Sequence, residues 1–185
     1  MLKDWSNVII PEEEEINERL EKARNKLVQQ QILIMQKKLP VLVSFDGWGA
    51  AGKGSILGKI IKNIDPRFFK VAVMDKPTED EKRRPFLYRY VINIPEAGKF
   101  TLDGGCLDEV TKQKLSGKIT DEEYKRKIES VKRFERQLSD NGYLVIKFFF
   151  HIGEQEQRKR LTRLLDDKNT RWRVSEYDLW QNQHY

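Results

Sequence analysis

One cysteine and two histidines in 185 residues take two common chemistries away from this chain. A single thiol cannot close an internal disulfide, and one Cys with two His leaves little for a zinc site. Such a composition suits a reducing cytoplasm, which is the setting expected here. No apolar run approaches the roughly 18 residues of a membrane span. The opening Met1-Leu2-Lys3-Asp4-Trp5 lacks the apolar stretch of a secretory leader. Internal repeats and low-complexity linkers are also missing, so one domain over residues 1–185 is expected.

What the chain has is charge. Hydrophobic residues make up 38% and charged residues 35%, with a mean hydropathy of -0.70. The apolar residues nevertheless fall in blocks, which argues for a folded core. Lys and Arg number 35 against 29 Asp and Glu, a net charge of +6 and a pI of about 9.3. That excess suits an anionic partner such as nucleotide, polyphosphate or nucleic acid, and equally suits an ordinary solvated surface. No nucleic-acid-binding motif accompanies it.

Helical and extended patterns alternate along the chain. Pro11 and the acids Glu12 to Glu15 open a helix predicted to run to about Lys38, an N-terminal extension over residues 1–38. Its apolar stripe is Ile16, Leu20, Ala23, Leu27 and Ile34. Pro40 stops it, and Val41-Leu42-Val43-Ser44-Phe45 reads as a buried parallel strand. Helix is predicted again from Ser55 to Ile64, and strand from Phe69 to Met74. Thr78-Glu79-Asp80-Glu81 has capping-box spacing, with Pro85 placed where a helix kinks or breaks. Phe100-Thr101-Leu102 is a short strand ending at Asp103. Residues 104–118, with three glycines, read as loop or mobile helix. Thr120 to Glu123 is a second capping box for a helix to Asp140. After Asn141-Gly142, Tyr143 to Phe150 is the strongest strand pattern in the chain. Glu154 to Leu165 reads as helix, and residues 166–185 as loop and lid, cut off at Tyr185. Alternating strands and helices predict a three-layer α/β/α sandwich on a parallel sheet, with ligands at the carboxyl ends of the strands.

Two such ends carry chemistry. Asp46-Gly47-Trp48-Gly49-Ala50-Ala51-Gly52-Lys53-Gly54 satisfies G-x-x-x-x-G-K of the phosphate-loop pattern. Glycines let main-chain N–H groups turn in around phosphate oxygens, the next helix offers its positive end, and Lys53 reaches the terminal phosphates. Gly47, Gly49, Ala50, Ala51, Gly52, Lys53, Gly54 and Ser55 are therefore candidate phosphate ligands. Gly54 stands where a Ser or Thr hydroxyl normally meets magnesium, and Ser55 is one residue late. A tight strand-to-helix turn needing glycine for geometry alone is the other reading. Asp103 is placed as a magnesium-holding acid at the end of a neighbouring strand, or as a turn former. Asp46 is a second possible metal ligand, or a cap for the helix that follows. Cys106 has no neighbouring base in sequence and reads as incidental.

Taken together these residues resemble the polyphosphate kinase 2 family of P-loop kinases, from about Leu39 to the last residue. Phe45 to Gly54 is similar to that family's variant Walker A, which has Gly after the Lys. Lys76-Pro77-Thr78-Glu79, Arg89-Tyr90 and Ile94-Pro95-Glu96-Ala97-Gly98 resemble its segments before Walker B. Phe134-Glu135-Arg136, Asn141-Gly142 and Ile146-Lys147-Phe148 match its spacing. Arg171-Trp172-Arg173-Val174-Ser175 with Asp178 is similar to its basic lid, with Trp180 and Tyr185 after it. The resemblance implies a P-loop kinase fold with a helical lid, and commonly oligomers. It also implies magnesium-dependent phosphoryl transfer between inorganic polyphosphate and a nucleotide such as AMP, ADP or ATP. Lys53, Asp103 and Arg89 would be catalytic, and Lys76, Arg171 and Arg173 would neutralise the polyanion. The sequence also departs from the family. Gly49 replaces the Asp usual before Ala-Ala-Gly-Lys-Gly, and Asp103-Gly104-Gly105-Cys106-Leu107 replaces Asp-Arg-Ser-Trp-Tyr. Asp108 and Glu109 are candidates to stand in for the missing acids. Two readings follow: an active phosphotransferase, or a degenerate P-loop module that binds phosphate ligands or a partner copy without turnover.

Overall fold

A computed structural model describes residues 11–62, 64–74 and 77–185. Its centre is a four-stranded sheet of β1 (Val41–Gly47), β2 (Phe69–Ala72), β3 (Phe100–Asp103) and β4 (Leu144–Phe150), all parallel, in the order β2-β3-β1-β4. Val41 lies beside both Phe100 and Leu144, so the three strands start level, and Ser44 lies beside Asp103. β1 is central and covered on both faces, which is why its seven residues are all buried and carry no polar alternation.

The helices are α1 (Glu13–Gln36), α2 (Lys53–Ile61), α3 (Glu79–Lys82), α4 (Tyr88–Val91), α5 (Cys106–Leu115), α6 (Asp121–Asp140), α7 (Glu154–Asp166) and α8 (Glu176–Gln183). Alternate residues of β1 feed two cores. Leu42 packs with Tyr90, Cys106, Val131, Phe134 and Leu138 of α4, α5 and α6. Val41, Val43 and Phe45 pack with Phe100 and Leu102, against Ile34 of α1 and Leu57, Ile60 and Ile61 of α2. Full burial of each such side chain is worth about 1.5–3 kcal/mol. The expected three-layer α/β/α architecture is therefore present, with the carboxyl ends of β1 and β3 converging at one edge of both cores.

Both predicted capping boxes form. Thr120 and Glu123 exchange side-chain-to-backbone bonds at the start of α6, as Thr78 and Glu81 do at α3. α3 lasts a single turn because Pro85 disfavours helical backbone at the residue before it, and the chain restarts through the Tyr88 N–H bond to the Pro85 carbonyl.

Other expectations need correction. The 104–118 segment is a helix from Cys106, with Cys106 and Val110 buried. The 166–185 segment is loop only in its first part; a 3₁₀ turn at Arg171–Arg173 leads into α8, capped by Ser175 and Asp178. α2 starts two residues early and ends at Ile61, and β2 ends at Ala72. Along α1, Ala23 is exposed; its one buried residue is Gln31, whose amide clasps both the N–H and the carbonyl of Asp65. β4 is an edge strand with Phe149 65% exposed, despite having the strongest strand pattern.

Candidate functional site

A cleft of about 1300 Å³ opens at the carboxyl ends of β1 and β3, and the loop between β1 and α2 is its floor. Trp48, Gly49, Ala50, Ala51, Gly52, Lys53, Gly54 and Ser55 all line it. Gly47 is the last residue of β1; a side chain there would run into the Phe150 backbone, to which Trp48 N–H bonds at 3.0 Å.

The loop amides divide into two sets. Trp48 and Ala51 N–H bond to backbone carbonyls, and Gly49 N–H donates to Gln181 Oε1 at 2.9 Å. The N–H groups of Ala50, Gly52, Lys53, Gly54 and Ser55 find no acceptor among the described residues. The last three are the first-turn donors of α2, where the helix dipole adds positive potential. Lys53 Nζ bends over its own loop, donating to the carbonyls of Gly47 and, at 3.3 Å, Trp48. It lies 3.6 Å from Asp108 Oδ2, which also pairs with Lys112 at 3.4 Å.

The acids are arranged otherwise than their positions in sequence suggested. Asp103 is buried at the end of β3, but its carboxylate is bonded to the Ser44 side chain and the Gly105 N–H, and it does not line the cleft. Burial holds its pKa above the ordinary range. Asp46 is not a cap for the following helix α2. Its Oδ1 accepts from Asp108 N–H at 3.0 Å, in the first turn of α5. A side chain at Gly105, whose φ is +74°, would collide with that carboxylate. Burial is the main cause that pushes the Asp46 pKa up to about 6, opposed by the Asp108 N–H bond. The acids that do line the cleft are Asp108, Glu109, Glu156, Asp167 and Asp178. Among the described residues no three His, Cys, Asp or Glu side chains gather as a metal cage. A magnesium ion in phosphoryl transfer uses one or two carboxylates together with phosphate oxygens, a demand that Asp108 and its neighbour Glu109 fit.

The basic residues also sort. Arg173 lines the cleft and Arg171 does not. Arg89 pairs with Glu81 at 3.3 Å and stands outside the lining. Lys76 lies outside the described residues. Three cations that sequence reasoning passed over, Lys159, Arg160 and Arg163 of α7, line the cleft instead. Arg160 Nη1 donates to the Ala50 carbonyl at 3.3 Å. The signal was available: spacings of one, three and four residues put the three on neighbouring faces of the helix after β4.

A second missed feature holds the loop from above. Gln157 is fully buried, and its Nε2 donates to the Gly49 carbonyl and to Gln181 Oε1, while its own Oε1 accepts from Asn182. Both halves of the Gly49 peptide are thus tied to α7 and α8. A side chain at Gly49 would meet the Asp178 carboxylate, so the position that lacks an acid in sequence is covered by one from α8. Trp48 stacks on Tyr185 with ring centroids 4.4 Å apart, and the Tyr185 hydroxyl donates to the Ile152 carbonyl.

Comparison with known proteins agrees with this geometry. The family model described as Polyphosphate kinase 2 matches residues 11–185. The chain is 29% identical over 140 residues to ADP-polyphosphate phosphotransferase 3 of Rhizobium meliloti, covering 75% of this chain and 49% of that protein. It is 32% identical over 147 residues to the polyphosphate:AMP phosphotransferase of Pseudomonas syringae pv. tomato, covering 79% and 29%. The crystal structure of polyphosphate kinase 2 from Arthrobacter aurescens TC1 superposes with a TM-score of 0.82 at 25% identity, over 89% of this chain and 60% of that one. The chain thus spans from under a third to about three fifths of the proteins it matches. With its parallel sheet and a family match running over residues 11–185, this chain belongs to the polyphosphate kinase 2 family.

Proposed function

We propose that the chain transfers a phosphoryl group between inorganic polyphosphate and a nucleoside mono- or diphosphate. One observation carries this most: consecutive open amides from Gly52 to Ser55 beside Lys53, in a cleft walled by Lys159, Arg160, Arg163 and Arg173. In the transfer, the bond from the terminal phosphorus to the chain's bridging oxygen breaks. A bond to a terminal oxygen of the nucleotide forms, and polyphosphate shortens by one unit; the reverse reaction lengthens it. The transition state spreads negative charge over three equatorial oxygens, so alignment and positive charge are the main requirements. The loop amides and Lys53 grip the moving phosphoryl group, and the α7 and lid cations hold the chain behind it. Asp108 would hold a magnesium ion together with phosphate oxygens, and the ion would supply positive charge against the phosphates. The proposal includes a cytoplasmic setting and a homo-oligomer; sedimentation velocity at micromolar concentration checks the latter.

The direct test incubates the protein with polyphosphate, magnesium and AMP or ADP and follows the product nucleotide. Turnover above a Lys53→Ala control is the expected outcome. Saturable polyphosphate binding without turnover would replace transfer by binding alone.

A further inference from the structure

One residue of the loop is held in a backbone shape that its side chain disfavours. Ala50 has a φ of +56°, the left-handed region, which is costly for a residue with a Cβ and persists only where the surroundings enforce it. The peptides on both sides of it are fixed. After it, the Ala50 carbonyl accepts from Arg160 Nη1 at 3.3 Å, and the Ala51 N–H donates to the Trp48 carbonyl. Before it, the Gly49 carbonyl accepts from Gln157 Nε2 at 3.2 Å. A trans peptide is planar, with its C=O and N–H pointing opposite ways. Turning the Gly49 carbonyl onto Gln157 therefore turns the Ala50 N–H away from it. That N–H finds no acceptor among the described residues.

The Gln157 amide has one orientation open to it. The residue is 0% exposed, so its polar atoms must pair inside the protein. The order of donors is set from Arg158, whose guanidinium can only donate. Arg158 Nε donates to Asn182 Oδ1 at 3.2 Å, and Asn182 Nδ2 donates to Gln157 Oε1 at 3.0 Å. The Gln157 amino group is left facing the Gly49 carbonyl and Gln181 Oε1. A flipped amide would set its oxygen against both of these oxygens.

We infer that Gln157 is a positioning residue for phosphoryl transfer. Through the Gly49 carbonyl it aims the Ala50 N–H at the phosphate held by the amides of Gly52 to Ser55, so the group is gripped from both limbs of the loop. Gln157 does not line the cleft and acts only through the Gly49 peptide. The inference rests on the phosphate-cradle reading above and adds to it one donor and the α7 side chain that directs it.

Gln157→Met keeps the side-chain volume and removes the donors. Amide-resolved NMR with tripolyphosphate and magnesium, on wild type and variant, reads the effect without turnover. In wild type the Ala50 N–H shifts saturably together with those of Gly52 to Ser55. In the variant the Ala50 response falls at least threefold while the other four persist. With polyphosphate and ADP the variant loses kcat by about 10- to 100-fold, as for a misaimed donor to developing charge, and KM for both substrates changes less than threefold. A lowered melting temperature with kcat and the Ala50 response intact marks a merely structural role and overturns the inference. An Ala50 N–H that is silent in wild type while the other four respond also overturns it and leaves the cradle standing. Silence at all five amides refutes the cradle and the inference together. Loss of all five responses in the variant alone makes Gln157 a support of the whole loop and overturns the aiming role. If Gln157→Met does not fold, Gln157→Glu, which keeps the acceptor for Asn182, is measured in its place. Failure of both to fold makes the residue structural and overturns the inference.

Discussion

The two walls of the cleft are built at the same edge of the same sheet and carry opposite charge. The wall from α7 to α8 sets Lys159, Arg160, Arg163 and Arg173 against Glu156, Asp167 and Asp178. The wall at β3 and α5 sets Asp108 and Glu109 against Lys112, with the unpaired Tyr90 hydroxyl behind them. A single polyanion would be served by a uniformly basic cleft. The asymmetry instead fits two substrates, one charged along its length and one charged only at its phosphate end, meeting over the loop.

The strongest way to break this comparison is at the point both walls share. Lys53→Ala should lower turnover by about 10²-fold or more, because it removes charge from the developing transition state. A fall of less than threefold in a steady-state assay would take Lys53 out of the reaction. Next comes the basic wall alone. The double change Arg160→Ala with Arg173→Ala should weaken tripolyphosphate binding by about 10- to 100-fold, two charge-assisted contacts of about 1.5–3 kcal/mol each being offset by ions that screen them. The salt dependence should flatten, and AMP affinity should change far less. Equal losses for both ligands would mean that the walls do not divide the substrates.

A smaller effect sharpens the roof over the loop. Gln181→Met keeps the volume but orphans Gly49 N–H and one Gln157 donor, at a cost of about 1–3 kcal/mol. Hydrogen exchange across residues 46–54 should accelerate without ligand, while α6 keeps its protection. Uniform acceleration would make the network a general stabiliser rather than a clamp on the loop.

The smallest effect lies beneath the acidic wall. With its pKa raised to about 6, Asp46 favours the folded state when protonated. Its contribution is whole below the unfolded value near 4 and is lost as pH climbs through about 6. Asp46→Asn keeps an acceptor for the Asp108 N–H, so its stability relative to wild type should improve between pH 4 and pH 8 in urea titrations. A constant gap over that range would show that Asp46 does not titrate there.

How much of this could be read along the chain follows sequence distance. The glycine-rich turn between β1 and α2, the order of strands and helices and the capping boxes at Thr78 and Thr120 are contiguous patterns, and they were legible. The α5 helix was legible only as one of two readings, loop or mobile helix, because its N-terminus is satisfied by Asp46, 62 residues before Asp108. The clamp on Gly49 joins residues 108 and 132 positions apart, and neutral amides give no periodic or charge signal. Gly49 shows the cost of reading one position alone. In sequence it is a missing acid; in the fold, Asp178 covers the space a side chain there would need. Asp103 erred in the opposite sense. Its place at a strand end was right, yet its carboxylate accepts from the Gly105 N–H and stands outside the cleft lining. Edge position likewise outweighed local pattern in β4, whose apolar run leaves Phe149 in solvent.

The central claim is that the open amides at the start of α2 cradle phosphate, and amide-resolved NMR during a tripolyphosphate titration tests it most directly. The account predicts saturable shifts at Gly52, Lys53, Gly54 and Ser55, with Gly49, already bonded to Gln181, moving least. Shifts confined to α7 and the lid, or no saturable change in the loop, would contradict it.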